Sequence, residues 1–201
     1  MPLNPEDLDP DPLVELAAWV TEAEAAGHRL ATAFALATAD RNGRPSVRFV
    51  LLQGVEPDGL SFYTNRESAK GRDLAANAYA AAVFWWERTN RQVRVSGPVE
   101  AVPDGESDAY WASRPAGHRL AAWASAQSEP IADRAALEAK VDATIARFGG
   151  EDAIPRPPFW GGYRLIPEVV ELWESREDRL HDRIEYRRRP DGGWDRRQLQ
   201  P

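Results

Sequence analysis

Apolar residues recur along the chain in two rhythms, one helical and one alternating, and their order predicts the fold. Residues 12–27 carry Leu13, Leu16, Ala17 and Val20 at helical spacing with glutamates opposite. Asp11 is placed to cap this helix, Pro12 suits its first position, and Gly27 ends it. Residues 32–39 (TAFALATA) read as a strand, although alanine has weak strand preference. An Asn-Gly turn within 40–45 leads into an apolar run over 47–55, and Pro57-Asp58-Gly59 turns that run into a second strand over 60–64. Residues 79–86 are almost wholly apolar, which predicts a central strand. Residues 91–102 alternate, with Gln92, Arg94 and Ser96 on one side and Val93 and Val95 on the other; Pro98 after Gly97 predicts a bulge or an edge.

Helices follow over 104–113, 115–126 and 131–148, the last with Ala135, Leu137, Val141, Ile145 and Phe148 as its apolar positions and Gly149-Gly150 as its stop. Strands over 160–166, 168–174, 183–189 and 194–199 finish the chain, with Asp191-Gly192-Gly193 as a hairpin turn. Strands joined mostly by hairpins, with the helices grouped rather than alternating, predict an antiparallel barrel or sandwich of the α+β class, mainly β. One domain over 1–201 is expected, with residues 1–11 as a flexible lead-in.

The chain has 201 residues, 43% of them hydrophobic, enough for a real core. A net charge of −7 argues against non-specific binding to nucleic acid or to an anionic membrane. Without cysteine there is no disulfide, thiolate metal site or cysteine nucleophile. His28, His118 and His181 are scattered, so no metal site is expected. The opening residues lack the basic and apolar regions of an export signal, and no run is long enough to span a membrane. The expectation is a soluble cytoplasmic protein. Eight tryptophans favour aromatic pockets or a large interface.

Three clusters could carry chemistry. The first is Arg48, Gln53, Tyr63, Thr64, Ser68 and Lys70. Ser68 stands at the start of a helix whose first turn holds Lys70 and Arg72, an unfavourable place for cations unless an anion such as phosphate lies among them. A solvated basic helix is the alternative. The second cluster is Tyr110, Arg114 and His118, which share a face if one helix runs through Pro115, and which otherwise form a surface stripe. The third is Trp173 with the run Arg179-Leu180-His181-Asp182-Arg183, where strand alternation puts Arg179, His181 and Arg183 on one side. A solvated edge strand is the alternative there.

The run RFVLLQ, then FYTN, SAKG and RQV, then SRP and AQS, and finally ELW, RLHDR and the QLQP ending, resembles the pyridoxine/pyridoxamine 5′-phosphate oxidase family over about residues 12–201. The resemblance implies an FMN-binding split β-barrel, a homodimer with FMN at the subunit interface, and oxidase chemistry with O₂ as acceptor. It assigns FMN contacts to Arg48, Phe49, Val50, Tyr63, Thr64, Ser68, Lys70 and Gln92, and, from the partner subunit or the C-terminal strands, to Gln127, Ser128, Trp173 and Arg183. It assigns the substrate to Tyr110 and Arg114 at its phosphate and to Arg179 and His181 at its ring, the latter pair as the catalytic residues. Members acting on the vitamin B6 phosphates carry lysine where this chain has Gln53 and serine where it has His118. They also carry an N-terminal lid, expected to be missing here. These departures resemble the flavin oxidases of phenazine biosynthesis. The implied substrate is therefore pyridoxine or pyridoxamine 5′-phosphate, with a reduced phenazine-type compound as the alternative and a non-catalytic flavin-binding protein as the alternative of another class.

Overall fold

A computed structural model describes residues 3–149 and 154–201. The first helix, α1 (Pro12–Ala25), starts as its sequence dictates: the Asp11 carboxylate accepts the Leu13 N–H and Pro12 needs no partner at the first position. Its apolar stripe, Leu13, Leu16, Trp19 and Val20, is buried against the barrel. Residues 3–11, read as a flexible lead-in, lie along the far edge of the sheet. There Arg196 donates to the Leu8 carbonyl at 2.9 Å and the Tyr186 hydroxyl donates to the Asp9 carbonyl at 3.0 Å.

Among the described residues, ten antiparallel strands follow the expected order: β1 (Ala33–Ala39), β2 (Pro45–Leu51), β3 (Gly54–Glu56), β4 (Gly59–Asn65), β5 (Tyr79–Trp86), β6 (Arg91–Ala101), β7 (Trp160–Leu165), β8 (Val169–Glu174), β9 (Asp182–Arg188) and β10 (Trp194–Gln198). Seven of them run in the order β10-β9-β8-β6-β5-β1-β2, while β3, β4 and β7 form the second side. The long strand β6 joins the two: its first half pairs with β8 and its last residues with β7. The corner falls at Gly97-Pro98. A Cβ on Gly97 would lie 1.9 Å from the Ile166 carbonyl oxygen, so only glycine lets the two backbones meet. The result is the mainly β, α+β split barrel. Phe34, Leu36, Phe62, Phe84, Val93, Leu172 and Ile184 fill its interior.

The apolar run over 47–55 is two strands rather than one. Leu52 turns inward and is buried, and β2 stays with β1 while β3 pairs with β4 on the other side. The alanines of β1 alternate outward against buried Phe34, Leu36 and Thr38, so the strand owes its place to the inner residues and its outer face is flat. Cross-strand register continues that face through Val47, Phe49 and Leu51 on β2 and Tyr79, Val83 and Trp85 on β5. Phe49 is 76% exposed, Val47 66% and Trp85 53%.

The remaining helices are α2 (Ala69–Ala76), α3 (Asp104–Ser113), α4 (Ala116–Ala124) and α5 (Arg134–Phe148). The helix read over 115–126 starts one residue late, because Pro115 is its non-helical cap (φ −53°, ψ 142°), and Arg114 before the proline is extended as well. The helix read over 131–148 starts at Arg134, where the Asp133 carboxylate accepts the Ala136 N–H. Gly149 ends it in left-handed backbone. Gly150 lies outside the described residues.

Candidate functional site

A cleft of about 880 Å³ opens between β2, the end of β4, the start of α2 and the α3–α4 pair. Arg48, Phe49, Val50, Gln53, Tyr63, Thr64, Lys70, Tyr110, Arg114, His118, Gln127 and Ser128 all line it. The first two sequence clusters therefore meet in one cavity.

At the α2 end, Ser68 is the helix N-cap. Its hydroxyl accepts the Gly71 N–H and donates to the Asn65 carbonyl at 2.7 Å. It is fully buried one layer behind the wall, where it accepts from Lys70 Nζ at 3.3 Å. Lys70 is 7% exposed. Its ammonium also donates to Gln127 Oε1 at 2.9 Å and Thr64 Oγ1 at 3.1 Å. All these partners are neutral oxygens. Burial first, and repulsion from Arg48 second, lower the Lys70 pKa from 10.5 to about 8. Arg48 is braced by Thr38 Oγ1 at 2.6 Å and lies 3.6 Å from Asp73. Gln127 and Ser128 come from this chain's own loop after α4, which folds back over α2: Ser128 Oγ accepts the Ala69 N–H at 3.1 Å. A buried ammonium among hydroxyls and an amide, with a guanidinium beside it, is a ready seat for a phosphate.

Elsewhere in the cleft the rings of Tyr63, Tyr110 and Trp160 stack, with Tyr63 and Tyr110 centroids 4.1 Å apart and Tyr110 and Trp160 6.0 Å apart. The Arg114 guanidinium lies 4.6 Å over the Trp160 ring. Burial lowers its pKa, and raises those of the Tyr63 and Tyr110 phenols. Although α3 and α4 are separate helices, Tyr110, Arg114 and His118 still face the cleft, because Arg114 donates across the break to the His118 carbonyl at 3.4 Å. The sequence reading missed Trp160 and Asp73. Neither has a local spacing signal: each reaches its partner only through the fold.

The third cluster lies elsewhere, on β8, β9 and the connection between them, beside Gln92 of β6. Gln92 pairs in register with Trp173, and Trp173 with Arg183. Trp173 contacts Trp85 and His181, with centroids 5.9 Å and 4.6 Å away. Alternation fails for Arg179, since Glu177–Arg179 is one tight turn with Asp178 and Arg179 in left-handed backbone, and extended geometry begins only at Asp182. Nor is Arg183 an uncompensated cation: it makes a two-point ion pair with buried Glu171 at 2.9 and 3.1 Å.

Residues 20–147 match the family model described as pyridoxamine 5′-phosphate oxidase, and residues 160–201 match that of the pyridoxine 5′-phosphate oxidase C-terminal dimerisation region. The chain belongs to the pyridoxamine 5′-phosphate oxidase family. As a member of this family it is a flavin oxidase. It is 54% identical over 192 residues to pyridoxine/pyridoxamine 5′-phosphate oxidase 1 of Ralstonia nicotianae, covering 96% of this chain and 90% of that one. It is 53% identical over 201 residues to pyridoxine/pyridoxamine 5′-phosphate oxidase of Anaeromyxobacter dehalogenans, covering 100% of both. Its structure is similar to that of PhzG from Burkholderia lata in complex with tetrahydrophenazine-1-carboxylic acid, with a TM-score of 0.91 and 36% identity, covering 99% and 98% of the two chains. Among the described residues, no helix is long and apolar enough to cross a membrane.

Proposed function

We propose that this oxidase binds FMN in the cleft, works as a homodimer, and oxidises pyridoxine or pyridoxamine 5′-phosphate with O₂ as the final acceptor. The observation that carries the reading is Lys70, a buried cation with neutral partners in a cleft that also holds a second half-buried cation, Arg114. Bound FMN supplies two-electron chemistry, taking hydride from a substrate on its ring face and passing the electrons to O₂. Lys70, Arg48, Thr64, Gln127 and Ser128 would hold its phosphate, with Ser68 fixing Lys70 from behind. Phe49, Val50 and Tyr63 would wall its ring.

Arg114 and Tyr110 would take the substrate's anionic group. Trp160 supports the Arg114 guanidinium on its ring face, so the donors are aimed before substrate arrives. Gln92, Trp173, Arg179, His181 and Arg183 would complete the cleft of a second copy. Two features support that exchange. The flat apolar face of β1, β2 and β5 runs directly into this cluster, and the matched dimerisation region contains most of it.

A second reading is dehydrogenation of a reduced phenazine-type carboxylate. Gln53 and His118 favour it, since both line the cleft and neither adds the fixed positive charge that a second phosphate contact needs. The similarity to PhzG favours it too. The test is anaerobic mixing followed by O₂ uptake, comparing pyridoxine 5′-phosphate with reduced phenazine carboxylates. Bleaching of the flavin and O₂ consumption with the B6 phosphate are expected. Turnover of the phenazine alone would shift the assignment. No bleaching by either would leave a non-catalytic flavin carrier.

A further inference from the structure

The loop before β9 is held more tightly than a surface turn requires. Asp178 and Arg179 both adopt left-handed backbone, φ 58° and 62°, which costs free energy at residues other than glycine. A chain of contacts holds them there. The Arg176 backbone N–H donates to His181 Nδ1 at 3.1 Å. The Arg176 guanidinium is clamped on both sides, Nε on Asp182 Oδ2 at 2.6 Å and Nη2 on Glu174 Oε1 at 2.8 Å. Buried Asp182 accepts a further bond at the same oxygen, from the Leu3 N–H at 2.9 Å. The N-terminal segment, itself tied to Arg196 and Tyr186, thus ends on the carboxylate that fixes Arg176. Trp173 supports the imidazole from one side.

A backbone N–H can only donate. His181 Nδ1 must therefore accept, and in the neutral ring the proton sits on Nε2. We propose that His181 meets the substrate as a hydrogen-bond donor through Nε2–H, not as a base. Arg176 and Asp182 are the positioning residues that fix this tautomer, and the N-terminal segment braces them. The inference rests on the reading of His181 as part of the oxidase site. It identifies the group His181 contacts as an acceptor on the ring compound, such as a phenolate or carboxylate oxygen.

The direct test is ¹⁵N NMR of the imidazoles in the flavin-loaded protein, with the His181 signals assigned by their loss in His181→Gln. The Nε2–H tautomer is expected, and an Nδ1–H tautomer would overturn the proposal. This measurement needs no substrate, and anaerobic bleaching of the flavin in the same sample by a candidate substrate tests the oxidase reading separately. In turnover, His181→Gln puts an amide N–H near the position of Nε2, whereas His181→Asn puts its amide near Nδ1. The glutamine variant should keep at least about tenfold more kcat/KM, the worth of one hydrogen bond; equal losses would overturn the donor role. Asp182→Asn, and separately Leu3→Pro, which removes the N–H that Asp182 accepts and is read against Leu3→Ala, which keeps it, should mix the two tautomers while flavin stays bound. A single unchanged tautomer in both variants would remove the positioning role.

Discussion

Replacing Lys70 by methionine keeps the length of the side chain and removes its charge, and it should move stability and flavin binding in opposite directions. In the flavin-free protein, burial holds the Lys70 pKa at about 8 instead of 10.5. The folded chain then binds fewer protons than the unfolded chain between those values. Lys70 costs stability below about pH 8, and the cost is relieved as pH rises through the window. The full cost is about 3 kcal/mol. The methionine variant should therefore melt higher than the wild type at neutral pH when flavin is absent, and its stability should lose the rise across that window. Flavin binding should weaken. A charge-assisted hydrogen bond to phosphate is worth about 1.5–3 kcal/mol, so FMN should bind about 10- to 100-fold less tightly. Riboflavin, which lacks the phosphate, should bind both proteins alike. In the wild type, FMN affinity should also fall as pH rises above about 8, because the bound phosphate must recharge the amine. Quenching of flavin fluorescence during titration of the apoprotein reads all of this. An unchanged FMN Kd in the variant, or a riboflavin loss as large as the FMN loss, would refute the phosphate assignment.

Arg114→Ala should raise KM for the anionic substrate about 10- to 100-fold with a smaller change in kcat, read by steady-state O₂ uptake, since it removes a fixed donor and leaves FMN untouched. Gln53→Lys adds a cation to the wall of the cleft and should lower KM for pyridoxine 5′-phosphate; a KM that stays put would argue for the phenazine-type substrate. Phe49→Asp buries a charge in the proposed interface and should give monomers in sedimentation velocity, with loss of bound flavin. Gly97→Ala should cost about 3 kcal/mol in a denaturant titration, because the new methyl would meet the Ile166 carbonyl.

The parts of this molecule that were legible in its sequence are those governed by neighbours in the chain. Asp11-Pro12 and Ser68 start helices and Gly149 ends one through contacts made within four residues, so the types alone announce them. Strand β5 betrays its central place by its apolar run. What stayed hidden was set by partners far along the chain. Leu52 breaks an apolar run in two because the barrel's two sides diverge there, and nothing in the run itself says so. Pro115 was legible as a helix breaker, yet Arg114 and His118 still share the cleft through a bond across the break. The alanines of β1 looked like poor strand formers when read one by one. Seen across the register they are the small residues that keep the outer face flat enough for another surface to lie on it, which a bulkier, better strand former would prevent. The same logic holds at Arg183. Its charge suggested an empty anion site, but Glu171, twelve residues earlier and on the neighbouring strand, already answers it. Lys70 hydrogen-bonds only neutral oxygens among the described residues, and that difference between two cations is why the phosphate is proposed at Lys70 and not at Arg183.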